Sequence, residues 1–216
     1  DGETYETIIT VDGVASTTAN ALPYGTYEIK EVKAPEGYLL NTADSWTFTI
    51  TEDGKMVRPS TASDKMEDTP IRGGVAMPKV DTELSQFAGE EQKEGNQQGD
   101  ATVEGAEFTI RNESQHQVVV NGQIYENGQD VITIRTGEDG IATTGAFTLP
   151  YGSYTIRETK QPTGYLESTV NHDGDEGEVW SFEIRENGKI VRPAIDDVEH
   201  KIDNQVIRGD VEMPKI

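Results

Sequence analysis

An internal repeat is the feature that most constrains the fold of this 216-residue chain. The block LPYGTYEIKEVKAPEGYL, which begins at Leu22, returns as LPYGSYTIRETKQPTGYL from Leu149. WTFTITEDGKMVRP and KMEDTPIRGGVAMPK return in the same order as WSFEIRENGKIVRP and KIDNQVIRGDVEMPK. Because the order is kept while the spacing grows slightly, the repeat predicts tandem domains with insertions in their loops.

The repeat also sets the expected domain limits. VAMPK begins a unit and KIDNQVIRG ends one, so residues 73–209 are expected to form one complete repeat. Residues 1–72 match the later part of that unit without its opening strands, and residues 210–216 match the first strand of a following repeat. We therefore expect the chain to be an excerpt of a longer tandem array.

Almost every segment has the alternation of a β-strand, and no segment has a sustained helical period. Short strands and frequent turns, with 22 glycines, predict an all-β fold of antiparallel sandwiches. Asp53–Gly54, Asn121–Gly122 and Asn187–Gly188 are expected at hairpin tips, because these residue pairs tolerate positive φ. The polar stretch at residues 82–102 is predicted to be a long mobile loop.

The composition restricts the partners and cofactors that the chain can use. Its 40 acidic and 18 basic residues give a net charge of −22, which repels phosphate and disfavours nucleic acid and anionic membranes. There is no cysteine, and the three histidines lack metal-ligand spacing. No apolar run approaches the length that spans a membrane. We expect no cofactor, no nucleic acid partner and no membrane insertion.

Two local motifs have weak functional interpretations. Residues 171–178, NHDGDEGE, contain oxygen ligands suitable for Ca²⁺ but lack the EF-hand spacing, so a solvated loop is favoured. NES at Asn112 fits a glycosylation acceptor, a three-residue pattern that is common by chance.

Strand parity places polar residues on apolar faces of the complete repeat. In YTIRE, Glu158 shares a face with a tyrosine and an isoleucine, and YEIKE gives Glu31 the same position in the first copy. In VAMPK, Lys79 shares a face with valine and methionine. In KIDNQV, Asn204 shares a face with Ile202 and Val206. Because burying an isolated charge costs several kcal/mol, we expect the lysine, glutamate and asparagine to meet.

A lysine, a glutamic acid and an asparagine that meet in an apolar core can exchange an amide. Burial disfavours the charged forms of both the amine and the acid. The lysine nitrogen can then attack the side-chain carbonyl carbon of asparagine, while the acid polarises the carbonyl and moves protons. Ammonia leaves, and an isopeptide bond remains.

KEVKAPEGY and RETKQPTGY resemble the E-box of Cna B-type (SpaA-like) domains of Gram-positive surface adhesins and pilins. PKVD, followed later by GAEFTIRN, is similar to their opening strands, so the resemblance covers nearly the whole chain. It implies tandem transthyretin-like (prealbumin-like, Ig-like) β-sandwiches, an extracellular, cell-wall-attached protein, and an internal Lys–Asn or Lys–Asp isopeptide bond. It also implies that Lys79 is the amine, Asn204 the carboxamide and Glu158 the catalytic acid.

Single members of further triads lie outside the complete repeat. Glu31 occupies the catalytic position of the first copy and Asp68 its carboxamide position, while Lys215 occupies the amine position of the next repeat. We expect Asp68 and Lys215 to have partners outside this chain, and a link between the two in different molecules is a less favoured alternative. Val32 and Gln161 depart from the E-box pattern and are not expected to affect the chemistry.

The predicted function is structural: a stalk repeat of a bacterial surface adhesin or pilus-like filament, stabilised by its isopeptide bond. Because the reaction consumes its own site, no turnover enzyme is expected. Two alternatives stay open, namely an adhesive module that binds a host protein or glycan through its loops, and an accessory β-sandwich of a secreted enzyme. The expected partners are neighbouring repeats, with a host extracellular protein or glycan as a further candidate.

Overall fold

The computed structural model describes residues 2–43, 45–58, 66–81, 83–84, 97–166, 179–193 and 202–215, with the backbone alone at 202 and 203. These residues are almost entirely β or irregular, with one helical turn at 83–84, which confirms the all-β prediction. The strands are β1 (Gly25–Lys30), β2 (Tyr38–Leu39), β3 (Ser45–Ile50), β4 (Thr69–Pro70), β5 (Arg72–Asp81), β6 (Glu107–Asn112), β7 (Val118–Val120), β8 (Gln123–Tyr125), β9 (Asp130–Arg135), β10 (Ile141–Thr143), β11 (Leu149–Pro150), β12 (Gly152–Lys160), β13 (Val179–Ile184), β14 (Ile190–Val191) and β15 (Ile202–Asn204).

The chain divides into two compact units, residues 1–69 and 70–216. The repeat limits 1–72, 73–209 and 210–216 remain a prediction. Most of the predicted loop at 82–102, and all of the acidic stretch at 171–178, lie outside the described residues.

The first unit contains an antiparallel pair of strands with the predicted alternation. β1 pairs with β3 so that Tyr27 lies opposite Phe48, and the two rings stack with centroids 5.7 Å apart. Tyr27 is half-buried, whereas its neighbours Thr26 and Glu28 are exposed. The apolar face of this pair is therefore only partly shielded from water.

The second unit contains two sheets with a buried apolar core between them. One sheet is built on β5, which pairs with β10, β11, β14 and β15, and the other is the antiparallel sheet β13-β12-β6-β9. Both sheets contribute to the core, whose largest members are fully buried or nearly so: Val75, Met77, Phe108, Ile110, Ile134, Leu149, Tyr154, Ile156, Trp180, Phe182 and Ile184. The ten residues of β5 are enclosed almost throughout.

The direction of the closing strands differs from the predicted, purely antiparallel sandwich. β14 and β15 both pair with β5 in parallel, with Val191 opposite Val75 and Ile202 opposite Lys79. The difference arises because β13 belongs to the second sheet, so the chain changes sheets before it returns to β5. The first and last strands of the unit therefore run in the same direction.

The turns only partly follow the hairpin prediction. Asn121 and Gly122 have φ of 50° and 78° and join the paired strands β7 and β8, as predicted. At Asn187–Gly188 the prediction was wrong, because β14 pairs with β5 rather than with β13. Asn187 Oδ1 instead accepts a hydrogen bond from the amide of Arg72 at 3.0 Å. After Gly54, residues 55–58 form no strand.

The NES motif contains a structural asparagine. Asn112 is fully buried, and its Nδ2 donates to the carbonyls of His116 at 3.2 Å and Tyr125 at 3.3 Å. Its Oδ1 accepts from the amide of Ser114 at 3.0 Å. Every polar atom of this amide is occupied in the fold, so the folded unit offers no acceptor for a glycan here.

Candidate functional site

Lys79 and Glu158 meet between the two sheets of the second unit. Lys79 on β5 is fully buried, and its Nζ lies 2.7 Å from Oε1 of Glu158 on β12, whose side chain is 6% exposed. Nζ also lies 5.7 Å from the ring centre of Phe108, the residue opposite Glu158 on β6. The pair therefore bridges the sheets through an apolar environment.

Asn204 lies on β15, the strand beside Lys79. Ile202 is opposite Lys79 and Asn204 is opposite Asp81, so Asn204 is two residues further along and on the same face of the sheet. Asn204 is 2% exposed, and within the described residues neither polar atom of its amide has a hydrogen-bond partner. A buried polar group left in this state is destabilising by about 1–3 kcal/mol.

A β-bulge follows Glu158. The pairing of β12 with β6 shifts between Glu158 and Lys160, which leaves Thr159 as the extra residue. The Thr159 hydroxyl hydrogen-bonds with the Thr109 hydroxyl at 3.1 Å and donates to the Glu107 carbonyl at 3.3 Å. These contacts tie the bulge to β6 immediately after the inward-facing carboxylate.

Asp81 is a buried acid that the sequence analysis did not identify. It is fully buried directly opposite the asparagine, and it accepts hydrogen bonds from Tyr165 Oη at 2.9 Å and from Gln98 Nε2 at 3.0 Å. The amides of Glu83 and Leu84 each donate to it at 2.9 Å. Burial raises the pKa of Asp81, but these donors outweigh it and hold the pKa below the ordinary value of 3.8. The carboxylate is therefore an anchored anion.

A sequence signal for Asp81 was available. It follows Lys79 by two residues on the same strand, so the parity that indicated a buried lysine also indicates a buried aspartate. Its partner Tyr165 is the next-to-last residue of the repeated block that begins at Leu149, but nothing in the sequence pairs the two residues.

The remaining predicted residues have different surroundings. Glu31 is half-buried just beyond the end of β1, and its Oε2 accepts a hydrogen bond from the amide of Asn41 at 3.4 Å. Asp68 is half-buried immediately before β4, and Lys215 is exposed. Within the described residues, Glu31 has no ion pair of the kind that Glu158 makes.

Other kinds of site were sought within the described residues. None of their helical segments is long and apolar enough to cross a membrane. The same residues contain no cluster of three or more His, Cys, Asp or Glu side chains that could hold a metal ion.

The two-sheet fold and its family relationship agree. The SpaA family, a prealbumin-like fold domain, matches residues 1–64 and 91–197. Because this match covers more than half of the chain, the chain belongs to that family, and the resemblance to Cna B-type domains is confirmed. No curated protein matches the chain.

The chain is also similar to solved structures. The Bacillus anthracis TIE protein shares 27% identity and a TM-score of 0.52, over 93% of this chain and 30% of that protein. The present chain thus spans less than a third of the TIE protein. BcpA, the major pilin subunit of Bacillus cereus, shares 21% identity over 63% of this chain and 30% of its own, with a TM-score of 0.34. The shaft pilin SpaA from Lactobacillus rhamnosus GG shares 17% identity over 87% of this chain and 70% of its own, with a TM-score of 0.36.

Proposed function

We propose that the second unit forms an isopeptide bond between Nζ of Lys79 and Cγ of Asn204, and acts as a stalk unit of a Gram-positive surface protein. The observation that carries the proposal is the 2.7 Å contact of Lys79 with Glu158, next to the strand that carries Asn204, whose buried amide has no hydrogen-bond partner among the described residues. Buried polar groups cost free energy unless their interactions compensate for it. A reaction that consumes the amine and the amide gives these three residues a reason to be enclosed together.

The chemistry starts with a proton transfer. Transfer from the Lys79 ammonium to the Glu158 carboxylate across the 2.7 Å contact yields a neutral amine and a neutral acid. The amine lone pair attacks Cγ of Asn204, and the acid of Glu158 donates a hydrogen bond to the developing oxyanion. Proximity in the closed core replaces an encounter in solution.

Collapse of the tetrahedral centre completes the exchange. The Cγ–Nδ2 bond of Asn204 breaks, and Nδ2 leaves as ammonia with a proton that Glu158 relays from Nζ of Lys79. One C–N bond has formed, one has broken, and the acid is regenerated. The amine is spent, so the reaction occurs once per molecule.

The position of the bond suits a load-bearing unit. Lys79 lies near the end of β5, and Asn204 is the last residue of β15, which runs parallel to it. Tension applied at the two ends of the unit enters through β5 and leaves after β15. A covalent link between these strands carries that tension directly and leaves the rest of the sandwich unloaded. This supports a stalk role at the cell surface.

Intact-mass spectrometry tests the proposal. The wild-type chain should be lighter than its sequence mass by one ammonia, and Glu158→Ala should have its full sequence mass. Glu31→Ala is the matched control, because it makes the same change at the equivalent position of the first unit, and it should still lose one ammonia. A wild-type chain at its full sequence mass would refute the cross-link.

A further inference from the structure

Among the described residues, the closing strand β15 pairs with the opening strand β5 over three positions, Ile202–Asn204. Beyond Asn204 the chain is attached instead to the segment around Tyr165, which forms an antiparallel bridge with Val206. Backbone hydrogen bonds of 2.8 and 2.9 Å flank this bridge. The reacting asparagine therefore lies between two attachments, and only one of them is to β5.

Tyr165 connects these two attachments. Its backbone pairs with the closing segment, while its hydroxyl donates to Oδ2 of Asp81 on β5 at 2.9 Å. Its ring is buried in a small cluster with Ala101, Val103 and Val206. One side chain thus ties the segment after Asn204 to the strand position that faces Asn204.

The segment that carries Tyr165 packs tightly against residues 101 and 102. Gly164 has φ of +89°, and a Cβ there would lie 2.6 Å from Cβ of Ala101. The amide of Thr102 donates to the carbonyl of Thr163 at 3.0 Å. Because this backbone has little room to shift, the position of the Tyr165 hydroxyl is well defined.

A second tie joins the same regions at the surface. Arg208, on the closing segment, forms an ion pair with Glu83 just after β5, with Nε 2.9 Å from Oε1. The Arg208 side chain is largely exposed, so solvent and salt weaken this pair. The buried hydroxyl–carboxylate contact is the better candidate for setting the register.

We infer that Tyr165 is a positioning residue for the cross-link, and that its hydrogen bond to Asp81 holds the closing strand in the register that presents Asn204 to Lys79. The inference rests on the proposed Lys79–Asn204 bond and adds a determinant of its rate. Removal of the hydroxyl leaves the three reacting groups intact but loosens their alignment. A misalignment of about 1 Å can slow a reaction about a hundredfold.

The test compares rates of bond formation in the full chain. Wild type and variants are made by cell-free translation and quenched in acid at intervals, and the fraction lighter by one ammonia is followed by mass spectrometry. Tyr165→Phe should slow the conversion between about tenfold and about a hundredfold. Tyr154→Phe is the matched control, because it also removes a buried hydroxyl, one that donates to the carbonyl of Pro150 at 2.9 Å. It should convert at the wild-type rate.

Asp81→Asn separates positioning from stability. Asparagine keeps an oxygen that can accept from Tyr165, but it loses the anion and turns an amide toward a donor such as Gln98. It should therefore lower the urea midpoint more than Tyr165→Phe does, yet slow the conversion less. Rates that simply follow the urea midpoints would overturn the inference.

Two other results decide against the inference. Tyr165→Phe at the wild-type rate, with wild type losing ammonia, would overturn it and leave the cross-link standing. Wild type that never loses ammonia would overturn both. If Tyr165→Phe fails to fold, Asp81→Ala, which removes the acceptor of the same hydrogen bond, is compared with Tyr154→Phe, and equal rates would overturn the inference.

Discussion

The same pair of strands occurs twice in this chain, once half-buried and once fully buried. Tyr27 faces Phe48 across β1 and β3 just as Tyr154 faces Phe182 across β12 and β13, and the rings stack at 5.7 and 5.5 Å. Tyr154 and Phe182 belong to the closed core, whereas Tyr27 and Phe48 are only partly shielded. The repeated sequence determines the pairing and the apolar face, and the opposing sheet built on β5 turns that face into a core.

The two equivalent glutamates, Glu158 and Glu31, also differ in their contacts. Glu158 has Lys79 at 2.7 Å, and the Thr159 hydroxyl anchors the bulge that follows it. Among the described residues, Glu31 accepts a 3.4 Å hydrogen bond from the amide of Asn41 and forms no ion pair, and Val32 has no hydroxyl with which to make such an anchor. The repeated block therefore supplies a glutamate in both units, and in the second unit the surrounding strands place a buried lysine beside it.

The largest predicted effect is a difference in stability loss between substitutions at the equivalent positions Asn204 and Asp68. Asn204→Ala prevents the proposed bond, which would close the loop from residue 79 to residue 204, so the free energy of unfolding of the second unit should fall by about 5 kcal/mol, as for the loss of a disulfide that closes a comparably long loop. Asp68→Ala should change the stability of the chain by less than about 0.5 kcal/mol. Urea unfolding followed by circular dichroism measures both, and equal losses would remove the distinction between the units.

The next effect tests the burial of the stacked rings. Phe182→Ala empties a site in the closed core and should cost about 3–5 kcal/mol. Phe48→Ala removes a half-buried ring with the same stacking partner and should cost about 1 kcal/mol, because less apolar surface returns to water. Thermal unfolding of the two variants compares them. A loss at Phe48 as large as that at Phe182 would show that the first unit has an equally closed core.

An acid-dependent effect is expected at Asp81. Burial raises the pKa of Asp81, but hydrogen bonds from the Leu84 amide, Gln98 and Tyr165 lower it by more than burial raises it. The folded pKa therefore lies below the ordinary value of 3.8. The anion therefore stabilises the fold above that value, and the contribution is lost as pH falls through the folded pKa. Asp81→Asn should flatten the decline of melting temperature below about pH 4. Asp68→Asn is the control, and a variant curve parallel to the wild-type curve would argue against the anion.

The smallest effect compares two equivalent turns. Gly54 and Gly188 have φ of 68° and 74°, so alanine at either position is strained by roughly 1–2 kcal/mol. At Gly188 the added Cβ would also lie 3.0 Å from the ring of Phe147, whereas nothing lies within 4 Å at Gly54. Gly188→Ala should therefore lower the urea midpoint further than Gly54→Ala. The reverse order would contradict the close packing of the second turn.

Local patterns predicted the parts of the fold that depend on neighbouring residues. The alternation of β1 and β12 and the turn at Asn121–Gly122 follow from side-chain parity and from positive φ. The turn at Asn187–Gly188 was misread, because Asn187 bonds to Arg72, 115 residues away. The parallel closing strands were missed for the same reason: parity indicates a face but does not indicate the neighbouring strand.

In the candidate site, too, local patterns predicted which residues are buried but not which distant residues they contact. Parity indicated inward positions for Lys79, Glu158 and Asn204, and the structure encloses all three side chains. The Asp81–Tyr165 contact joins residues 84 positions apart, and although parity indicates a buried Asp81, nothing in either segment indicates its partner. Such contacts depend on how the strands cross, which a single sequence does not display.

Peptide mapping tests the central claim most directly. After digestion with trypsin, tandem mass spectrometry should find a branched peptide in which the side chain of Lys79 is joined to that of Asn204, with no cleavage after Lys79 and the loss of one ammonia. Glu158→Ala should yield the two linear peptides in its place. Linear peptides carrying Lys79 and Asn204, each at its own sequence mass in the wild-type digest, would contradict the account.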